Sequence, residues 1–554
     1  MKLLPDLLIT RHLDRFREVV AVLAKYGLVD WISRLDIEFA KGWFKSADDQ
    51  RLADLPIEAR IRLALSELGP TFIKLGQILG TRPDLIGPNL AQELAKLQDD
   101  APADSPQVVK KTVEAELGKP LLELFAQFDT KPIASASIGQ VHAARLPDKR
   151  PVVVKVQHPG IDNRVRTDLE ILGTLADLAE RTVGEWKQYQ PRATVAEFQR
   201  VLLRELDFGR EERNVRQFAA NFAHNPMVCF PATYPERSTS RILTMEHLEG
   251  IKVSDAAGIA KYGYDAQDIA RRGATVFLDM IFRDGFYHAD PHPGNLVILE
   301  EGRIGILDCG MVGRMDDALR EDIEDMLLSI ANRDAAQLAA TIIRVGMVPP
   351  ELDRSGLNND VADYLADYGG QSLEHFDLAG ALNELTGIIR RYHIVLPSRA
   401  ALLIRVLIVL EGTAQLLTPR FNLVELIRSY YRSILWRRFS PKRRMQKLRR
   451  QYREWEQLAE LLPRTATDLL RQAQGGKLSV HLEHNRLEPS VNRLAFGLVS
   501  SALFLGSALL WSLRVPPLIW DVPILGAAGC MVSLALGLRL LWAINKSGHL
   551  DQKK

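Results

Sequence analysis

Cysteine is scarce: Cys229, Cys309 and Cys530 are the only three in 554 residues. They stand far apart in sequence, which excludes a cysteine metal pair and fits a reducing compartment. A surplus of one charge is missing too, with Lys plus Arg at 71 against Asp plus Glu at 69. That balance excludes a general nucleic-acid binder, so local charge matters more than the total. The first residues, MKLLPDLLITRHLDRF, are broken by charges too early to hold the apolar core of a signal peptide. The catalytic part is therefore expected in the cytosol. At this length one hydrophobic core does not suffice, and two to four domains are expected.

What is present concentrates between Gly285 and Gly310, GFYHADPHPGNLVILEEGRIGILDCG. His288, Asp290 and Asn295 have the order and spacing of a kinase catalytic loop, and Asp308-Cys309-Gly310 follows where D-F-G would stand. Phosphoryl transfer needs a carboxylate to orient or deprotonate the acceptor, here Asp290. It also needs oxygen ligands from two segments to hold Mg2+ on the phosphates of ATP, here Asn295 and Asp308. Residues 296–299 and 304–307 read as two apolar strands joined by a turn, a hairpin that brings Asn295 beside Asp308. His288 and His292 resemble a metal pair in isolation, but Pro291 and Pro293 keep the segment extended, so zinc is the weaker reading.

Upstream, Ala134-Ser135-Ala136-Ser137-Ile138-Gly139-Gln140-Val141 is a run of small residues entering a strand, placed where a phosphate-binding loop would be. Small side chains let backbone N–H groups approach a phosphate, but alanine lacks the positive-φ freedom of glycine, so the loop is expected to be stiff. Lys155 ends the valine run 152–154 and is the candidate phosphate lysine. Its candidate partner is Glu211, on a helical stretch over 197–222 where Asp207, Glu211 and Asn214 share one face; Glu205 and Asp207 form a second acidic pair. Residues 241–245 read as a strand leading to a hinge at Glu246–Gly250, whose backbone, with Glu246 and Leu248, would meet an adenine.

Residues 60–99 carry helical periodicity broken by glycine and proline, predicting several short helices. Within them Lys74 and Gln77 sit on an otherwise apolar segment and need polar partners; a lysine snorkelling off a packed helix is the plain alternative. A helix over 265–284 ends just before the catalytic loop, and others cover 316–330, 378–392 and 399–417. There is no room for a long activation segment and no A-P-E, which counts against protein substrates. Residues 437–453 are basic and free of acids. The runs 494–513 and 522–538 lack charges and are long enough for a transmembrane hairpin, with both ends cytoplasmic from the lysine and arginine distribution. The basic stretch then rests on anionic lipid headgroups.

The combination of KLGQ at 74–77, ASASIGQVHAA at 134–144, VVVK at 152–155, ELD at 205–207 with Glu211, HADPHPGN at 288–295 and DCG at 308–310 resembles the UbiB family of atypical kinase-like proteins. With the paired terminal spans it is similar to the bacterial members of that family. The resemblance implies an α+β, atypical protein-kinase-like two-lobe fold with an N-terminal helical extension and a C-terminal transmembrane helical hairpin. The corresponding divisions are 1–118, 119–245, 246–435, 436–493 and 494–545. It further implies that the extension folds over the cleft where a protein substrate would enter, with Lys74 against Glu205 and Asp207 in a regulatory contact. By the same resemblance the protein is an ATPase or small-molecule kinase using ATP and Mg2+, serves ubiquinone biosynthesis, and works with isoprenoid quinone precursors and other enzymes of that route. It would be a two-pass protein of the bacterial inner membrane, with its catalytic domain and C-terminus in the cytoplasm. Cys309 departs from the kinase phenylalanine. Two rivals are an aminoglycoside-type small-molecule kinase, which needs neither KLGQ nor membrane spans, and a nucleotide-binding pseudokinase scaffold, disfavoured because every catalytic residue type is present.

Overall fold

Glycine and proline cut the N-terminal region into short helices. In the computed structural model, which describes residues 12–28, 55–97, 101–182, 190–369, 376–427, 430, 487–519 and 522–546, α1 (Leu13–Lys25) is followed by α2 (Ile57–Leu68) and α3 (Pro70–Gly80). A single turn at Pro83–Ile86 then leads to α4 (Pro88–Leu94). Gly69 and Gly87 have φ of 94° and 84°, values that favour glycine. The proline after each takes a first helical position, where its missing N–H costs nothing.

After α5 (Pro106–Leu117) comes an antiparallel sheet of β1 (Gln127–Phe128), β2 (Ala134–Ser135), β3 (Gly139–Arg145), β4 (Pro151–Gln157) and, much later, a strand at Ile242–Glu246. Helices α6 (Ile161–Thr182), α7 (Pro191–Glu205) and α8 (Phe208–Asn221) come between, then β5 (Val228–Cys229), which joins a second sheet, and the Ile242–Glu246 strand, β6. β4 is valine-rich because both its faces are covered. Val152, Val154 and Val156 pack with Val109 and Val113 of α5, and Val153 packs with Val165, Leu169 and Leu202 of α6 and α7. The stretch 197–222 is not one helix. It breaks at Leu206-Asp207, so Asp207 does not share a helix face with Glu211 but caps α8, its side chain accepting from Gly209 N at 3.0 Å. An aspartate that satisfies a free first-turn N–H there competes with helix continuation.

β7 (Ile251–Lys252) and α9 (Ala266–Leu278) follow, and α9 ends in a wider turn over Asp279–Asp284 at Gly285, φ 63°. β8 (Phe286–His288), β9 (Leu296–Ile298), β10 (Ile304–Ile306) and β11 (Val312–Arg314) come next. β9 and β10 form the hairpin, with Leu296 opposite Ile306, and β8 pairs with β11. Helices α10 (Asp317–Ala331), α11 (Ala335–Val345), α12 (Arg354–Gly369), α13 (Leu378–Arg391) and α14 (Ser398–Leu417) complete this unit, Met1–Ser440. Leu403, Val406 and Leu410 of α14 are buried against Phe277, Ile281 and Tyr287, making α14 the central helix of the largest core.

The second unit, Pro441–Lys554, contains α15 (Leu487–Ser512) and α16 (Ile524–Lys546). They pack through small residues: Ser500 Oγ donates to the Ser533 carbonyl at 3.0 Å, and a Cβ on Gly529 would lie 2.0 Å from Ser507 Oγ. Leu498, Val499, Leu505, Leu534 and Leu538 are exposed. Among the described residues three helices are long and apolar enough to cross a membrane, α14, α15 and α16; α14 spends its apolar surface on the core. The basic stretch 437–453 lies outside the described residues.

Candidate active site

Lys155 projects from β4 between Val141 of β3 and Leu243 of β6. Its ammonium donates to Glu211 Oε1 and, at 3.1 Å, to Asp308 Oδ2. Glu211 is placed by α8, one turn in from its cap, and Asn214 on the same helix donates Nδ2 to the Cys309 carbonyl at 3.0 Å. Burial works against the charge on Lys155, but the Asp308 and Glu211 carboxylates together hold the ammonium well above the usual lysine range. Burial would also raise Asp308, yet Lys155 and the Gly310 N–H hold it well below the usual carboxylate range. Glu211, more deeply buried and repelled by Asp308, is pushed up despite its lysine. Two carboxylates share one cation, and their shifts run in opposite directions. Burial likewise pushes the Cys309 thiol up, so that position is a packed, neutral side chain.

The catalytic loop is held by its histidine. His288 Nδ1 accepts from Asp290 N at 3.1 Å while Nε2 faces the Asp308 carbonyl, which assigns the proton to Nε2 and ties the loop to the DCG segment. Asn295 Nδ2 donates to Asp290 Oδ2 at 3.0 Å and to its carbonyl at 3.2 Å, and Leu307 N donates to the Asn295 carbonyl at 2.9 Å. The hairpin therefore sets Asn295 beside Asp308, with Asp290 on the same side. His292 Nδ1 accepts from Gly294 N at 3.1 Å, so both histidines spend ring nitrogens on the backbone. Asn295 leaves Oδ1 as its oxygen for a cation, and with the Asp308 carboxylate this is a hard-oxygen donor set that fits Mg2+.

Between β2 and β3 the phosphate-loop candidate is a tight turn, with Ala136 N donating to the Gly139 carbonyl at 2.8 Å and no positive φ from 134 to 141. Gly139 is required by packing, since a Cβ there would lie 2.5 Å from the Val156 carbonyl oxygen. The Ser135 and Ser137 hydroxyls and Gln140 Oε1 are buried without hydrogen-bond partners; of the three residues only Gln140 lines the site cavity.

A cavity of about 1210 Å³ joins these parts. Lys155, Glu211, Asp290, Asn295 and Asp308 line it, as do residues 136 and 138–141 of the loop. So do Lys74, Gln77, Glu205 and Asp207. Lys74 Nζ lies 3.8 Å from Glu205 Oε2, and Gln77 Nε2 donates to the Leu97 carbonyl at 3.3 Å. Ala134, Ser135, Ser137, Glu246 and Leu248 are not in the lining. Glu246 instead accepts from Ala232 N at 3.0 Å, and Leu248 packs with Val297 and Leu299.

Sequence reasoning missed Arg405. It lines the cavity from α14 with Ile404 and Ile408 beside it; burial pulls its guanidinium below the usual arginine range, and the Asp290 carboxylate offsets part of that. A single cation inside an otherwise apolar helical run, LLIRVLIVL, was the available signal.

Three family models match the chain: the ABC1 atypical kinase-like domain over residues 96–342, the UbiB helical domain over 361–422, and the ABC1/UbiB kinase-like C-terminal domain over 481–546. An uncharacterized protein in the hydrogenase 1 5′ region of Clostridium pasteurianum is 30% identical over 97% of this chain and 99% of its own length. The "Probable protein kinase UbiB" of Azotobacter vinelandii is 31% identical over 92% of this chain and 95% of its own. A solved structure of Rv3197 with erythromycin, from Mycobacterium tuberculosis, aligns at 26% identity over 64% of this chain and 97% of that one, with a TM-score of 0.39. The lysine, catalytic-loop and DCG segments gathered around the cavity all fall within the kinase-like match, and a helical and a C-terminal match follow it along the chain: the chain belongs to the UbiB family of atypical kinase-like proteins.

Proposed function

We propose that this protein is a membrane-anchored, Mg-ATP-dependent ATPase or small-molecule kinase that supports ubiquinone biosynthesis, by handling isoprenoid quinone precursors or by organising the enzymes that make them. The observation that carries the reading is the shared cation: Lys155 sits between Glu211 and Asp308 in the same cavity as Asp290 and Asn295. In this reading Lys155 binds the phosphates, Glu211 holds Lys155, and Asp290, fixed by Asn295, orients the acceptor or the attacking water. Mg2+ on Asn295 and Asp308 would offset phosphate charge.

The acceptor side favours a small or lipid-like molecule over a peptide. The KLGQ helix α3 lines the cavity, and only six residues separate Gly310 from α10. Opposite Asp290 the wall from α14 is apolar apart from Arg405, a surface suited to an isoprenoid chain. α15 and α16 are long and apolar enough to cross a membrane; as a hairpin in the bacterial inner membrane they would hold the kinase-like unit on the cytoplasmic side.

The test is steady-state ATP hydrolysis by the purified chain with Mg2+, with and without anionic vesicles and a quinone-precursor mimic, beside Asp308→Asn. Hydrolysis that rises with lipid and disappears in the variant is expected. Nucleotide binding without turnover under every condition would replace this reading with a scaffold.

A further inference from the structure

The segment that leaves the N-terminal extension touches the phosphate-loop candidate at two points directly and at a third through a histidine. Ala101 N donates to the Ser135 carbonyl at 3.2 Å. Asp104 Oδ2 accepts from Gln140 Nε2 at 3.0 Å and lies 2.7 Å from His158 Nδ1. The other nitrogen of that ring, Nε2, lies 2.8 Å from the Ala136 carbonyl. His158 is thus wedged between an extension residue and the turn of the loop, and its own backbone N–H donates to the Ile138 carbonyl at 3.0 Å. The ring is mostly buried, its side chain 13% exposed, and Gln140 is almost wholly buried.

Both oxygens facing the ring only accept hydrogen bonds, so closing both contacts takes two ring N–H groups. Upstream, Leu97 accepts the Gln77 amide, four residues before Ala101 in the chain. In sequence, three residues separate Leu97, which accepts from the KLGQ helix, from Ala101, which donates to the loop.

We propose that residues 101–104 form a strap that fixes the phosphate loop through His158, so that the position of the N-terminal extension and the affinity for nucleotide are coupled. His158 and Asp104 are positioning residues in this account. The nucleotide part rests on the proposed function; the strap itself does not.

The experiment uses the full chain in detergent and compares His158→Gln, Asp104→Ala and the double variant. Backbone hydrogen exchange is followed over residues 134–141 and over β4, and Mg-ADP affinity by calorimetry. A glutamine offers one nitrogen and cannot span both acceptors. The expected result is faster exchange confined to 134–141 in each variant. Mg-ADP should bind about tenfold more weakly, the loss of a hydrogen bond to a charged group. The double variant should fall short of the sum of the singles, since both remove the Asp104–His158 contact. Unchanged loop exchange, additive effects, or acceleration spread equally into β4 would overturn the strap. If the unaltered chain binds no Mg-ADP, the proposed function fails, while the exchange comparison still decides the strap.

Discussion

Two carboxylates on one buried ammonium make a specific thermodynamic prediction. The Lys155 side chain is 13% exposed, that of Glu211 7% and that of Asp308 48%. Glu211→Gln leaves Lys155 paired one-to-one with Asp308 and removes the repulsion between the carboxylates, so the cost should be only about 1 kcal/mol. Asp308→Asn leaves the Glu211 pair and should cost about the same. The double variant strands a buried ammonium, and breaking a buried pair in that way costs about 3–5 kcal/mol. The double should therefore exceed the sum of the singles by roughly 1–3 kcal/mol. The assay is native-state hydrogen exchange of the β4 and β6 amides against urea concentration, which reads the stability of the sheet that carries Lys155. Singles that add to within about 0.5 kcal/mol of the double would refute a shared cation.

Other perturbations follow from single contacts. Arg15 Nε donates to Asp168 of α6 at 2.7 Å and Nη2 to the Leu68 carbonyl at 2.7 Å, and the Asp168 side chain is fully buried, so Arg15→Met should cost about 3 kcal/mol by stranding that carboxylate. Thermal unfolding that matches the unaltered chain would refute it. Gly139→Ala should destabilise by about 1–3 kcal/mol, because the Val156 carbonyl is backbone and must move; unchanged exchange in β3 and β4 would count against this. Arg405→Met removes a cation from an apolar wall at similar volume, so stability should hold or rise by about 1 kcal/mol. A loss above about 2 kcal/mol would show that Arg405 is held in place by a partner. Deleting residues 494–554 should release the protein from vesicles while nucleotide binding persists, and a truncated chain that still sediments in high salt would remove the hairpin as main anchor.

The site was legible where its parts are close in sequence. Asp290 and Asn295 are five residues apart, and two apolar strands with a turn between them predict the hairpin that sets Asn295 beside Asp308. Lys155 was legible as the single charge in a valine strand. The break at Leu206-Asp207 was not, because a cap and a mid-helix aspartate look alike until the competing backbone hydrogen bond is seen. Nor was the inward Gly139, whose need is set by the oxygen of a neighbouring strand rather than by phosphate.

By itself the sequence determined the element types, the order of the catalytic segments and the two apolar C-terminal runs, since these follow from local periodicity, turn residues and short spacings. Only the tertiary structure decided that His158 bridges Asp104 and Ala136, that Arg15 reaches Asp168, and that α14, apolar enough for a membrane, is a core helix that sets Arg405 in the cavity lining. Such contacts join residues tens to more than a hundred positions apart, and which of them form depends on how several faces bury together, a condition that no local pattern encodes.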